Sequence, residues 1–521
     1  MPDAINVQDA RKSRGELTEE AHAGEKEKNS REMKEQLEQE QAPQNETTKI
    51  DPNFVTWDGP DDLANPKNWK TGRKWAVTFV VSSFTLISPL SSSILAPALS
   101  SIGQEFNITN DVELSLALSI FVLAYAIGPL FLGPLSELYG RSRVLQLSNL
   151  FYFFFNLGCA LARSKAQIMV FRFFAGLGGS APLAIGGAVL GDLFTTDTRG
   201  RAIAVYSLAP LLGPAIGPIA GGFITQNTSW RWIFYATTMA DGVIQLIGLY
   251  FLRETFAPLL LQRKKNKLIK ETGNPNYYTK SDTKADRTVL KTLQAALVRP
   301  FRLLATQPII QVLALYMAYV YGLIYIVLST FPTLWTSPDH YDEKTGIAGL
   351  NYISLGVGFF LGTQIFAPLQ DRVYRALKAR TPDNIGRPEF RVVLMFPGAL
   401  IVPFGLFIYG WTAEYKTHWI APNIGAATFA AGTVISFQCI QAYVVDSYTR
   451  FAASALAAST VLRSLAGFGF PLFGPYVYSS LGYGWGNSLL AFLAIGLGWP
   501  APFLLWRFGE ILRKKSPYAA G

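Results

Sequence analysis

The sequence predicts an all-α membrane protein of twelve spans in two pseudo-symmetric six-helix bundles, and three observations lead there. Half of its 521 residues are hydrophobic and only 16% are charged, too apolar a mixture for a soluble enzyme of this size. Apolar stretches of about 20 residues, the length that crosses a bilayer, recur between residues 75 and 508. A basic segment, 253–306, divides them six and six.

Taken in order, the chain begins with a tail. Residues 1–50 are rich in Glu, Lys, Gln and Asn without apolar periodicity, so they cannot bury enough surface to fold, and 1–55 is expected to be a disordered cytoplasmic tail. It lacks the short apolar core of a cleaved signal peptide. Residues 56–75 follow, where Trp57, Trp69 and Trp75 with Lys70, Arg73 and Lys74 suit a membrane interface. Spans are expected near 75–99, 114–133, 144–162, 168–190, 202–224 and 232–252, then near 309–335, 347–369, 392–411, 419–444, 453–477 and 486–508. The units are therefore a first bundle over 56–252, a cytoplasmic linker over 253–306, a second bundle over 307–508 and a tail over 509–521.

Orientation follows from the cations. With the N-terminus inside, Arg141, Arg143, Arg199, Arg201, the linker cations from Arg263 to Lys270, the loop 372–391 and Arg513, Lys514 and Lys515 all fall on the cytoplasmic side. The opposite loops hold only Arg163, Lys165, Arg231, Lys344 and Lys416. The net charge of +10 is thus read as positive-inside bias and not as a nucleic-acid footprint, with both termini cytoplasmic. Asn107 and Asn227 head sequons in outside loops and are candidate glycosylation sites. Cys159 and Cys439 lie inside spans, and the three histidines form no ligand set, so neither a disulfide framework, a metal site nor a cofactor is expected. No nucleophile or acid–base pair is visible either, which argues against an enzyme.

The two halves echo each other. Pro134-Leu135-Ser136-Glu137 closes the second span and Pro368-Leu369-Gln370-Asp371 the eighth, as a duplicated bundle requires. Charges inside spans are costly and persist where they face a cavity or a partner. Arg172 in the fourth span either bridges helices through carbonyls or lines a cavity as a cation that competes with a proton for an acid. Asp241, with Gln245 one turn on, is either a proton carrier or a satisfied structural acid. Arg463 in the eleventh span either binds an anion or pairs with an acid, and Asp446 suits a cytoplasmic gate or a proton exit. Ser88 and Ser92, Tyr321 and Tyr325, and Gln438 and Gln441 are candidates for a polar and aromatic wall that holds bulky amphipathic or aromatic molecules. Each tyrosine pair has packing as its plainer explanation.

The stretch 208–224, LAPLLGPAIGPIAGGFI, sets Gly213, Gly217 and Gly221 four apart, a smooth stripe on which another backbone can lie, with Pro214 and Pro218 bending it. With Gly222 it resembles the fifth-helix antiporter motif (gxxxGPxxGG) of the drug:proton antiporters in the major facilitator superfamily. Arg172 and Gly176 resemble that superfamily's fourth-helix motif (lxxxRxxqGxg), although Ala175 stands where glutamine is expected. Gly133, Glu137, Gly140 and Arg141 resemble its loop 2–3 signature (GxLaDRxGRRxx), with Glu137 for the usual aspartate and Leu138 for the first arginine. The resemblance implies a cytoplasmic gate built from these residues, with Asp192 as a third partner for Arg141, and a proton-coupling role for Arg172. Residues 56–60, 65–69, 252–258, 387–389, 452–455 and 469–473 together are similar to the fungal twelve-span drug:proton antiporters. The first span lacks the acid that bacterial members carry there, so proton coupling is implied by the family alone.

On this resemblance the expected function is secondary active efflux across the plasma membrane of drugs, xenobiotics or fungal secondary metabolites, coupled to protons and performed by a monomer through alternating access. A polyamine or nutrient transporter of the same fold, and a membrane sensor that does not transport, stand as alternatives.

Overall fold

A computed structural model describes residues 51–280, 282, 289–382 and 385–519. The expected mobile tail, up to residue 50, lies outside the described residues. The chain is helical almost throughout. The first half holds α1 (Thr71–Ser93), the short α2 (Leu99–Glu105), α3 (Asp111–Tyr139), α4 (Arg141–Ala160), α5 (Lys165–Gly179), α6 (Ala181–Leu193), α7 (Thr196–Asn227) and α8 (Arg231–Phe251). The linker contributes α9 (Ala257–Thr272) and α10 (Val289–Thr306). The second half holds α11 (Pro308–Thr336), α12 (Thr345–Leu350), α13 (Ile353–Ala379), α14 (Met395–Glu414), α15 (Ile420–Ser447), α16 (Ala452–Gly498) and α17 (Pro500–Lys515).

Ten segments among the described residues are long and apolar enough to cross a membrane. One of them, Ala452–Lys515, runs 64 residues and is broken at Gly482, where φ 71 and ψ 178 are helical for no residue. It therefore supplies two crossings, the eleventh and twelfth. The remaining one is α4, whose Gln146, Asn149 and Asn156 lower its hydropathy but point at α8: their side-chain amides donate to Gly248 O, Gln245 Oε1 and Thr238 Oγ1 at 3.1, 3.0 and 2.8 Å. A polar helix is tolerated in hydrocarbon when its neighbours satisfy it in this way.

Within the first half, α1 packs on α7 and α8, α3 on α5, and α4 on α5 and α8. Within the second, α14 packs on α15 and α16, α11 on α16, and α13 on α15. The closest approaches use glycine: a Cβ at Gly405 or Gly425 would run into the backbones of Phe429 or Tyr409 across the α14–α15 seam. The halves meet along two seams, α3 against α16 and α7 against α13 and α12.

The linker, read from the sequence only as polar, docks. Residues 53–55, assigned above to the mobile tail, are instead bridged to it, because Phe54 and Val55 find an apolar partner. Val55 N–H donates to Tyr278 O (2.8 Å), Tyr278 N–H to Asn53 O (2.9 Å), and the Phe54 and Tyr278 rings lie 5.4 Å apart. Lys264 Nζ donates to Thr56 O and to Asp58 Oδ1. In the same strap, the N–H groups of Asp58 and Ala64 hold the Asp62 carboxyl below its usual pKa range. At the other terminus Arg513 donates to both oxygens of Glu389 at 3.0 Å, each side chain 8% exposed. Both described ends of the chain thus pack at the end of the bundle where α3 turns into α4.

A buried bidentate ion pair is costly to break from one side. Glu389→Ala or Arg513→Ala alone should destabilise the purified protein by about 3–5 kcal/mol, read as a fall in melting temperature in detergent, whereas the double variant should lose less than the sum of the two.

Candidate functional site

The centre of the first half is the broken end of α1. Pro89 sits inside the helix, which stops at Ser93 and resumes as α2 after a 3-10 turn, so the carbonyls of Ser91 and Ser92 have no donor of their own helix. Arg172 of α5 supplies them. Its Nη1 donates to Ser91 O (2.8 Å) and Nη2 to Ser92 O (3.3 Å), while Nη2 also reaches Leu118 O (3.2 Å) and Nε reaches Ala117 O (3.3 Å) on α3. The guanidinium lies 4.7 Å from the Phe121 ring, and the residue is 1% exposed. A cation at a helix C-terminus also complements the helix dipole. This is the carbonyl-bridging arrangement weighed from the sequence, with Arg172 sealed among three helices.

The serines of the same stretch extend the knot. Ser88 Oγ bonds to Tyr125 OH of α3 (2.6 Å), Ser91 Oγ to Tyr152 OH of α4 (2.5 Å) and Ser92 Oγ to Tyr325 OH of α11 (3.0 Å), the last across the two halves. Against its other side lies the glycine stripe of α7. A Cβ on Gly213 would sit 2.8 Å from Leu90 N, one on Gly217 2.7 Å from Leu90 O, and one on Gly221 would strike Ile94 O. Gly222 points elsewhere, with Thr345 O 2.8 Å from where its Cβ would be, and Gly346 N–H donates to Gln226 Oε1 at 2.8 Å. That closes one end of the inter-half seam. Pro210, Pro214 and Pro218 leave α7 a single continuous helix.

On the second half, Tyr321 faces Tyr325 (5.0 Å between rings) and Phe437 of α15 (6.1 Å). The Arg463 guanidinium of α16 lies 4.9 Å from the Tyr321 ring and 5.2 Å from that of Phe437. Gly467, one turn beyond Arg463, lets Tyr321 pack between α16 and Val122 of α3. Ser88, Ser92 and Tyr325 are buried, Ser88 paired with Tyr125 and Ser92 with Tyr325, whereas Tyr321, Phe437, Gln438 and Arg463 are half-buried and Gln441 is exposed. The accessible part of the predicted wall is thus its second-half side.

Ion clusters stand at the end where α3 turns into α4. Arg141 lies 3.5 Å from Asp192 and 3.8 Å from Glu137, donates to Ser136 Oγ (2.7 Å), and covers the Phe256 ring at 4.8 Å. Gly140 adopts φ 103, and a Cβ there would meet Glu254 and Leu259. Glu254 Oε1 accepts from the N–H groups of Arg141 (2.9 Å), Thr255 (3.1 Å) and Phe256 (3.0 Å), capping α4. A Cβ on Gly133 would meet nothing. The second half repeats the triad: Arg391 reaches Asp446 at 2.9 Å and Asp371 at 3.0 Å. Arg391 and Glu254 are site residues that sequence reasoning did not assign. Arg391 was within reach, because it ends the 3-10 turn Pro388–Arg391 in the loop that follows Asp371, as Arg141 follows Glu137 in the first half.

Asp241 stands apart. It is 0% exposed on α8, which packs on α1, α4 and α7, and the Asn149 amide of α4 is the polar side chain set against its carboxylate. The structure brings it to neither Arg172 nor Arg463. Asn107 and Asn227 are exposed at the end away from the ion triads, Asn227 Nδ2 donating to Phe223 O at 2.8 Å. Gly140→Ala should force a strained positive φ and a clash with Glu254, so a melting temperature lowered by several degrees is expected, against little change for Gly133→Ala.

The chain matches the Major Facilitator Superfamily over residues 81–471. It is 50% identical over 471 residues to the efflux pump vrtL of Penicillium aethiopicum, covering 90% of this chain and 92% of that one. It is 44% identical over 464 residues to the efflux pump radE of Floropilus chiversii, covering 89% and 85%. Its fold is similar to the partially occluded inward-open xylose transporter XylE from E. coli, with a TM-score of 0.62 at 17% identity over 84% of this chain and 98% of that one. The protein is a multi-pass membrane transporter that belongs to the major facilitator superfamily.

Proposed function

We propose that this transporter expels small amphipathic or aromatic molecules across the plasma membrane, exchanging them for protons as its two halves rock about the central knot. One observation carries the reading. The seam between the halves is shut by close contacts of α7 with α12 at one end, while in the wall away from it Tyr321, Phe437 and Gln438 are half-buried and Gln441 is exposed. A site closed on one side and reachable from the other is half of an alternating-access cycle. The cation distribution supports a cytoplasmic position for the reachable side, from which an exporter must load. The names of the two fungal relatives support outward movement, and the glycine stripe of α7 is the surface on which it turns.

Each proton entering down the potential releases about 2.3 kcal/mol per 100 mV, enough to drive export when exchange is tight. Asp241 is the acid we assign to that exchange, since its buried carboxylate is the one acid of the first-half spans that lies away from the membrane ends. The account excludes uptake: cells expressing the protein should hold less of an amphipathic dye than control cells, and a protonophore should erase the difference. Equal or higher dye content on expression contradicts efflux. Arg172→Ala should abolish flux with the protein still at the cell surface, because the end of α1 loses its donors. Gly217→Val should bind the dye yet fail to move it, since the new side chain is driven into Leu90 and Ser93. Flux equal to wild type in either variant contradicts the role given to the knot.

A further inference from the structure

Two arginines sit in the middle of spans, and the structure treats them oppositely. Arg172 is sealed and donates to four carbonyls. Arg463 is half-buried, its Nε is buried without an acceptor, and among the described residues only the Tyr321 and Phe437 rings engage it. Among the described residues no acid is paired with it. The second-half spans carry no Asp or Glu between their ends, and those at the ends are committed: Asp371 and Asp446 to Arg391, Glu389 to Arg513, Glu510 to Arg387 and Lys514, and Glu414 to the N–H of Gly484. The two rings lie to one side of the guanidinium, 6.1 Å from each other, and its N–H edge is a planar fork matched to a carboxylate. The same rings give a flat surface on which an aromatic skeleton stacks.

We infer that the central site selects aromatic carboxylic acids, with Arg463 as the counter-ion of the carboxylate and Tyr321 and Phe437 as the stacking surface. This rests on the reading of the chain as a transporter whose substrate site lies between its halves, and it deepens that reading by naming the substrate class. A neutral isostere of the same shape would leave the fork unfilled, which is how such a site discriminates.

The test uses the purified full-length protein in detergent and two fluorescent probes of one shape, anthracene-9-carboxylate and anthracene-9-carboxamide. The wild-type protein should bind the acid at least about tenfold more tightly than the amide. Arg463→Gln should remove that preference while amide affinity stays within about twofold, and Arg463→Lys should keep part of it. Equal or undetectable binding of the two probes by the wild-type protein, a contrast that needs no variant to fold, overturns the inference. So does a preference that survives Arg463→Gln. Flux in proteoliposomes, followed with both anthracene-9-carboxylate and the neutral dye Nile red, separates the two readings: flux of either without acid preference sinks the substrate class alone, and acid preference without flux of either sinks transport.

Discussion

The structure depends on the carbonyls that α1 leaves open where it breaks. A helix interrupted inside a membrane exposes backbone acceptors that hydrocarbon cannot satisfy, at several kcal/mol each. Arg172 resolves this from α5, binding the Ser91 and Ser92 carbonyls and, with the same guanidinium, two carbonyls of α3. One side chain thereby fixes three helices. The break in turn frees the Ser88, Ser91 and Ser92 hydroxyls to reach tyrosines of α3, α4 and α11. Because α1 is flush with the glycines of α7 on its remaining side, a displacement of that end is felt by most of the first half.

The ion triads at the other end follow a related logic. Arg141 with Glu137 and Asp192, and Arg391 with Asp371 and Asp446, each tie the ends of three consecutive helical segments within one half. Rigid halves are a requirement of rocking, since a bundle that deforms cannot transmit motion from one mouth to the other. Glu254 adds a lock of its own by capping α4 from the chain that leaves α8, which binds the start of the linker to the first half. Among the described residues the halves share the Ser92–Tyr325 bond, the Gly346–Gln226 bond and two helix seams, whereas the ion pairs lie inside the bodies.

Much of this was legible in the sequence. Span number, the division around the linker and the glycine stripe of α7 could be read because they rest on length and on helical periodicity. So could the pairing of Arg141 with Asp192, through a family motif. Other features were hidden for physical reasons. The docking of residues 53–55 on Tyr278 joins segments more than two hundred positions apart, and short polar sequence gives no period to betray it. The break at Gly482 falls between the spans expected over 453–477 and 486–508, so the sequence separated two crossings that the backbone joins into one long helical run. The roles of the two midplane arginines could not be told apart, as each is a cation in an apolar run. What differs is the backbone around them, open carbonyls beside Arg172 and aromatic rings beside Arg463. Arg391 and Glu254 were overlooked because they lie in loops, where the positive-inside count treats every charge alike.

The central claim is that the halves move as bodies about the knot, so the end now shut by α7 and α12 must open during each cycle. Gln226 and Gly346 face each other there, and the two native cysteines, Cys159 and Cys439, are buried. The most direct measurement is dye flux in proteoliposomes carrying Gln226→Cys together with Gly346→Cys, before and after a short bifunctional crosslinker that is cleaved by reduction. The account predicts that crosslinking stops flux and that cleavage restores it. Undiminished flux through the fully crosslinked protein would contradict it.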